Sequence, residues 1–442
     1  MPTKAQSLIR ATGKPLVAAM LLAAAGLLRS QDVPDYEQPP VSYSATPAND
    51  ALAKLRQRIA SGELAFTGSD KQALQSLLDA LDVSAASQIL VFSKTSLQRA
   101  RIRPDRPRAL YFSDSVYVGW VPGGLMEVTA IDPQLGPIFY SFALDPARKQ
   151  PPVIERDSDC LRCHGGTFVR DIPGLFARSI FPDASGEPML RHGSVLVDDE
   201  TPFEQRWGGW YVTGYQGKPA HRGNGCGSEQ SEQLVFTPTP QRPEKLTGFF
   251  ATSDYPRPTS DVVALLVFQH QLAMHNSITT AGLMYRKMLA YQHELQTSLK
   301  EPVTDEPAYD SVRSVVSGVA QDVVDHLLFR RAAALPEGIV GNPDFKQAFA
   351  RGAPRSSAGH SLKDLQLHDR LLLQRCSFLI YSESFLALPA TLKNRILDRL
   401  LAALRSRDPK DRYAYLPAEE KQRILDILIE THADARRRFE NH

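Results

Sequence analysis

The strongest constraint on the fold is a change of sequence pattern at residues 259–261, where short β-rich segments give way to continuous helical sequence. Before this point, the stretch 108–144 contains short apolar segments that are separated by turn formers such as residues 122–124. After it, a helix-cap signal introduces an apolar sequence with helical spacing that runs to about Leu299. The pattern predicts an α+β protein in which a small antiparallel sheet precedes a mainly helical C-terminal domain.

Two or three packed units are expected, because 442 residues exceed the length at which one hydrophobic core usually stops growing, and the sequence pattern divides the chain into five segments. They are a signal peptide at 1–30, a linker at 31–48, a short helical lead at 49–107, a sheet with a loop-rich segment at 108–258, and a helical domain at 259–442. The linker is predicted because this segment is rich in proline and has no apolar periodicity. Further helices are predicted near 309–334, 361–386, 388–405 and 417–439.

The N-terminus has the features of an export signal. Lys4, Arg10 and Lys14 precede an apolar run at 16–28. This run is shorter than the roughly 20 apolar residues that a membrane-spanning helix needs. We therefore expect cleavage and a periplasmic or secreted protein. Association with a membrane would require this segment to remain uncleaved.

The charge balance argues against nucleic acid as a partner. The chain has 51 Lys and Arg against 49 Asp and Glu, and no basic stretch is interleaved with aromatic residues. Phosphate-binding loops, dinucleotide fingerprints, zinc-peptidase motifs and nucleophile elbows are also missing from the sequence. The sequence therefore gives no motif-based indication of nucleotide binding, zinc-dependent peptide hydrolysis or serine-hydrolase chemistry.

The segment Cys160-Leu-Arg-Cys-His164 has the pattern C-x-x-C-H. Two thiols at this spacing can form thioethers with both vinyl groups of one haem, while the adjacent imidazole binds the iron. A C-x-x-C pair also fits a redox dithiol or half of a zinc site. Haem is favoured because the other two cysteines, Cys226 and Cys376, are isolated and no βαβ pattern precedes the motif.

The motif resembles the haem attachment motif of c-type cytochromes. The resemblance implies one covalent haem c held by Cys160 and Cys163, with His164 as the proximal iron ligand, and it implies electron transfer and a periplasmic location. The likeness covers only the motif and its immediate neighbours. The whole chain also looks like large exported bacterial proteins that combine one such motif with segments of the kind at 206–213 and 361–365, a likeness that implies no particular reaction.

The ligand on the far side of the iron would separate electron transfer from catalysis. His221, in a glycine-containing loop, and His270, within an apolar helix, are the candidate distal ligands. Arg206, Trp207 and Trp210 are candidate haem-pocket residues, because arginine pairs with carboxylates and indole rings cover a macrocycle. An ordinary role in the core stays open for each of these residues.

The sequence thus predicts an exported haem c protein that passes single electrons to a redox partner protein or a small redox substrate. One alternative is a haem enzyme or small-ligand sensor with an open distal site, for which no catalytic residue is identified. Another is a haem-bearing structural subunit of a larger redox complex. Whether the protein is an enzyme, and whether Cys226 pairs with Cys376, stay open at this point.

Overall fold

The computed structural model describes residues 33–144, 152–236, 238 and 242–440. The predicted signal peptide at 1–30 lies outside the described residues. The predicted α+β class is confirmed, because an antiparallel sheet in the first half of the chain is followed by a largely helical second half.

The main sheet has five antiparallel strands in chain order. They are β1 (Ile89–Val91), β2 (Arg108–Phe112), β3 (Val116–Trp120), β4 (Met126–Asp132) and β5 (Gly136–Phe142). Successive side chains point to opposite faces, so that Val118 and Val128 enter one core while Tyr117 and Phe139 enter a second core. The predicted β-rich segments therefore correspond closely to the observed strands.

The first core lies between the sheet, two short helices and the segment that precedes them. The helices are α1 (Ala51–Ala60) and α2 (Asp70–Ala80). The segment 33–48 differs from the predicted extended linker, because Tyr36, Val41 and Tyr43 are buried against this core. An irregular segment has no periodicity to reveal burial, which is why proline content alone led to the prediction of a linker.

The middle of the chain is rich in loops, as predicted. It contains the one-turn helix α3 (Leu161–His164) and two hairpins, formed by β6 (Arg178–Ile180) with β7 (Ser194–Leu196) and by β8 (Gly227–Gln230) with β9 (Gln233–Phe236). The strand-like piece at 210–213 forms only single bridges, one of them between Trp210 and Val91.

The second core is built around the long helix α4 (Val262–Leu299), which packs on the second face of the sheet. The other helices are α5 (Asp310–Leu327), α6 (Pro343–Ala350), α7 (Glu383–Leu386), α8 (Ala390–Arg405), α9 (Ala418–Thr431) and α10 (Ala433–Glu440). Within the described ranges, none of these helices combines the length and apolar character that crossing a bilayer requires.

The helix predicted over 361–386 is largely wrong. Residues 361–377 form turns and loops, and only the last part of the range contains a 3₁₀ turn and α7. Asp364 closes a turn by accepting a hydrogen bond from the Ser361 amide at 2.8 Å, and its carbonyl accepts from the Leu373 amide at 2.7 Å. The apolar residues in this stretch are buried by surrounding elements rather than on one face of a helix.

Candidate functional site

The C-x-x-C-H motif forms a tight helical turn next to strand β5. Asp157 begins the turn, since its amide donates to the Phe139 carbonyl at 2.8 Å and its carboxylate accepts from the Asp159 amide at 2.9 Å. Cys160 ends a 3₁₀ turn and Cys163 lies in α3, so the two thiols are three residues apart in helical backbone. Side chains at this spacing lie on the same face of a helix, where both can reach one ligand.

His164 is held in a single orientation. Its Nδ1 lies 2.9 Å from the Gly174 carbonyl oxygen, and its ring packs between Phe139 and Phe176, with ring centroids 4.8 and 4.6 Å away. Because a carbonyl only accepts hydrogen bonds, Nδ1 carries the proton and Nε2 keeps its lone pair. Burial lowers the pKa of His164 to about 4, which keeps the imidazole neutral. No hydrogen bond to Nε2 is present among the residues that the structure describes.

The loop that supplies the Gly174 carbonyl is fixed by helix α4. Asn276 accepts a hydrogen bond from the Leu175 amide at 2.8 Å and donates to the Leu175 carbonyl at 2.6 Å. A Cβ atom on Gly174 would lie 2.8 Å from Cβ of Val169, so only glycine fits this close approach. Helix α4 therefore determines where the partner of His164 lies.

A buried ion pair lies beside the motif on the same face of the sheet. Arg108 Nη2 is 2.5 Å from Glu127 Oε2, and the two side chains are 18% and 15% exposed. Gly119 lies opposite Glu127 on the neighbouring strand, and a Cβ there would come within 2.3 Å of the Arg108 guanidinium. The charges of both residues act on Cys160 and His164. Nε of Arg108 is buried without a hydrogen-bond partner.

A second arginine, Arg178, lies near Cys163. Its guanidinium donates to the Ser194 hydroxyl at 2.9 Å and covers the Phe168 ring, and its charge interacts with Cys163. Nε of Arg178 also lacks a partner in a buried position. Trp210 supports this residue, because its indole nitrogen donates to the Arg178 carbonyl at 2.8 Å. Two arginines near the motif thus each have a buried Nε–H with no acceptor among the described residues.

His221 lies in an aromatic cluster rather than beside the motif. Its ring packs against Phe203, Trp207 and Tyr215, and its Nδ1 accepts a hydrogen bond from the Gly223 amide at 3.0 Å. Burial lowers the pKa of His221 to about 3, so the ring is neutral. This environment favours the core interpretation of His221.

His270 has partners at both ring nitrogens. Nδ1 lies 2.7 Å from the Asp199 carboxylate and Nε2 lies 2.8 Å from the Ser377 hydroxyl. The ring stacks on Phe329 at 4.3 Å and is fully buried. A histidine with this arrangement has no nitrogen left for iron, which favours the core interpretation here as well.

The predicted residues therefore fall into separate groups. Cys160, Cys163 and His164 share one site, and Trp210 lies next to it through Arg178. By contrast, Trp207 and His221 belong to the aromatic cluster. His270 and Arg206 lie beside Asp199, whose carboxylate contacts His270 and whose carbonyl accepts from Arg206.

Sequence reasoning missed Arg108, Glu127, Arg178 and Asn276. A signal existed for Arg108 and Glu127, because each is a charged residue within a β-rich segment at a position that faces the second core.

A small cavity adjoins the motif. It has a volume of about 220 Å³ and lies between the loop after the motif, α4 and α5. Phe176, which stacks on His164, forms part of its wall, together with Asn276 and His326. The cavity gives small molecules room near the motif.

Three comparisons place the chain against known proteins. No family model matches it, and neither the curated proteins nor the solved structures contain a significant match. The assignment of a function therefore depends on the geometry and chemistry of the residues around the motif.

Proposed function

We propose that Cys160 and Cys163 carry one haem c through thioether bonds, that His164 is the proximal iron ligand, and that the exported protein transfers single electrons. The observation that carries this proposal is the state of His164, whose Nδ1 is bound to the Gly174 carbonyl at 2.9 Å while no residue in the described part of the chain is hydrogen-bonded to Nε2. Imidazoles that ligate metals usually have their second nitrogen fixed in this way. A bound haem would supply an iron that changes between two oxidation states.

The chemistry around the motif fits such a group. Haem carries two carboxylates, and Arg108 and Arg178 each have a buried Nε without a partner. An unsatisfied buried donor is costly, and hydrogen bonds between guanidinium and carboxylate are among the strongest in proteins. We expect these two arginines to favour the binding of a group that carries carboxylates.

The state of Cys160 argues against the alternative of a redox dithiol. Burial, with the nearby carboxylate of Asp157 as a further cause, raises the pKa of Cys160 to about 12. The attacking cysteine of a redox dithiol works as a thiolate, which its surroundings stabilise by lowering the pKa. The raised pKa of Cys160 is the opposite of what that role requires.

The neighbouring residues would orient the ligand and exclude water. Phe139 and Phe176 cover both faces of the His164 ring, and Asn276 fixes the loop that carries the Gly174 carbonyl. A histidine that is already oriented loses little conformational entropy when it binds iron. The contacts of His164 therefore fix its ring before a ligand is bound.

The proposal is tested by expressing the full chain, with its N-terminal segment, in bacteria that contain a cytochrome c maturation system. We expect haem that stays with the polypeptide in a denaturing gel and gives a c-type pyridine haemochrome spectrum. The double variant C160S/C163S should lose this haem, whereas C226S, which changes another exposed cysteine, should keep it. Wild-type protein without covalent haem, or haem retained by the double variant, would refute the proposal.

A second candidate function is a haem enzyme or sensor with an open distal site. It is favoured because both predicted distal ligands are occupied by other contacts. His270 is hydrogen-bonded at both nitrogens, and His221 is enclosed by aromatic rings. Visible spectra of the reduced protein with and without carbon monoxide separate the two functions. A ready shift on addition of the gas supports the open site, and an unchanged low-spin spectrum supports the electron carrier.

A further inference from the structure

We propose that a second cavity, separate from the motif, binds a small organic anion with an apolar body. This cavity has a volume of about 450 Å³, within the range of sites for small molecules. One wall is apolar and includes Leu266, Phe329 and Leu372. The lining also includes four arginines, so the cavity offers both a surface for a hydrocarbon group and donors for a carboxylate.

The lining itself contains more arginine than carboxylate, although Glu200 and Glu420 next to it pair with two of the arginines. Four arginines and two aspartates contribute to the wall, namely Arg206, Arg331, Arg370, Arg375, Asp199 and Asp369. Arg206 is 2% exposed, and it donates to the carbonyl oxygens of Thr201 and Asp199 and to the side-chain oxygen of Gln269. None of these hydrogen bonds joins it to a carboxylate. The nearby carboxylates of Asp199, Asp198 and Glu204 partly offset the charge of Arg206, so the donors for a ligand must come from the other arginines.

Arg331 and Arg370 are the arginines best placed to bind a ligand. Nε of Arg370 is buried without a partner, and its contact with Asp369, 3.2 Å long, involves a carboxylate that is 54% exposed. Arg331 pairs with Glu200 at 2.7 Å, and these side chains are 57% and 42% exposed. Exposed ion pairs contribute little to stability, so a ligand carboxylate can replace them. Arg375, in contrast, is bound by both oxygens of Glu420 and forms a fixed part of the wall.

Asp199 is held in place by the hydrogen bonds that run through His270 to Ser377. The order of groups is that of a serine-hydrolase triad. Ser377 is fully buried and does not line the cavity, however, so it has no access to a ligand. We infer a positioning role for His270 and Ser377, whose hydrogen bonds hold the Asp199 carboxylate in place at the cavity wall. The arginines then determine which ligand binds.

The two kinds of wall select a class of ligand. Inorganic phosphate would pair with Arg331 and Arg370 but leave the apolar wall in contact with water. A neutral alcohol of similar length would cover that wall but leave the Arg370 donor unpaired. A monocarboxylate with a short hydrocarbon chain satisfies both, and octanoate is a suitable probe.

The test is isothermal titration calorimetry of the full-length protein with octanoate, octanol and inorganic phosphate. We expect saturable binding of octanoate and much weaker binding of the other two. Arg370→Gln and Arg331→Gln should each weaken octanoate binding about tenfold, because each loses a charge-assisted hydrogen bond. Arg313→Gln, on the exposed side of α5, should leave binding unchanged.

A third variant keeps the test decisive if Arg370→Gln or Arg331→Gln does not fold. Glu200→Gln releases Arg331 from its ion pair and should strengthen octanoate binding. Absence of saturable octanoate binding, equal binding of octanol, equal binding of phosphate, or unchanged affinity in the folded arginine variants would each overturn the proposal. The result does not depend on haem, because none of the probes or variants involves the motif.

Discussion

At the scale of single residues, the surroundings of His164 show how distant parts of the chain together determine the orientation of one side chain. Phe139 comes from the sheet, Gly174 from the loop after the motif, and Asn276 from helix α4. The five residues of the motif specify which groups carry the chemistry. Their orientation comes from partners that no local pattern identifies.

Asn276 should be important for stability as well as for the position of the Gly174 carbonyl. Asn276→Ala leaves the amide and carbonyl of Leu175 without their partners, and we expect a loss of about 2 kcal/mol in the free energy of unfolding. Ser277→Ala is the matched control, because the Ser277 hydroxyl is buried without a partner and its removal should cost little. Chemical denaturation of both variants measures the difference, and equal losses would contradict the role of Asn276.

His221 should make stability depend on pH. Burial lowers its pKa in the folded protein from 6.5 to about 3, so the neutral ring is the form that the fold accommodates. Its contribution is therefore fully present above pH 6.5 and is lost as the pH falls toward 3, because the unfolded chain binds a proton that the folded chain does not. Between these limits the free energy of unfolding should fall by about 1.4 kcal/mol per pH unit for this residue.

The variant His221→Phe should flatten this slope when unfolding is followed by guanidinium denaturation at several pH values. It should also lower stability at neutral pH, since the Gly223 amide loses its acceptor. His368→Phe is the control, because that imidazole is 63% exposed and is solvated in both states. If the free energy of unfolding of His221→Phe depends on pH as steeply as that of the wild type, the interpretation of His221 as a buried neutral side chain is wrong.

At the scale of elements, strands were easier to predict than the end of the helical domain. The strands of the main sheet alternate between two cores and end at turn formers, so local sequence is sufficient to locate them. The stretch 361–377 contains many apolar residues but forms turns. Burial there depends on neighbouring helices, and spacing alone does not distinguish it from an amphipathic helix.

The start of helix α4 depends on Asp261. Its carboxylate accepts from the amides of Val263 and Ala264, and its other oxygen accepts from the Asn342 amide at 2.5 Å. Asp261→Ala should cost about 2 kcal/mol or more, because capping and the tertiary hydrogen bond are both lost. Ser69→Ala, at the exposed cap of α2, should cost about 1 kcal/mol. Denaturation midpoints compare the two, and a loss no larger than that of Ser69→Ala would show that the contact with Asn342 adds nothing.

At the scale of the whole molecule, the segment 33–48 ties the N-terminal part of the described chain to the motif. The Tyr43 hydroxyl donates to the Pro137 carbonyl at 2.6 Å, and Arg156 covers the Tyr43 ring. The Tyr36 hydroxyl lies so close to Gly165 that a Cβ there would approach it to 2.4 Å. The residue next to His164 is therefore covered by a segment more than a hundred positions earlier.

The packing of Tyr43 predicts how strongly substitutions in the segment 33–48 lower the free energy of unfolding. Tyr43→Ala should lower the free energy of unfolding by about 3 kcal/mol through the cavity that it creates. Tyr43→Phe should cost about 1 kcal/mol, because only the hydrogen bond is lost. Val33→Ala, at a side chain that is 56% exposed, is the neutral control. Thermal or chemical unfolding measures all three, and a neutral effect of Tyr43→Ala would mean that the segment is not packed in solution.

By itself, the sequence determined the α+β class, the four strands between residues 108 and 144, the long helix α4 and the residues Cys160, Cys163 and His164. These features depend on turn formers, periodicity and motif spacing, which are properties of neighbouring residues. The tertiary structure alone decided that Arg108, Glu127, Arg178 and Asn276 surround the motif and that His221 and His270 have partners elsewhere. Such contacts join residues that are far apart in the chain, and their energies arise only when burial removes water from groups that must then find partners.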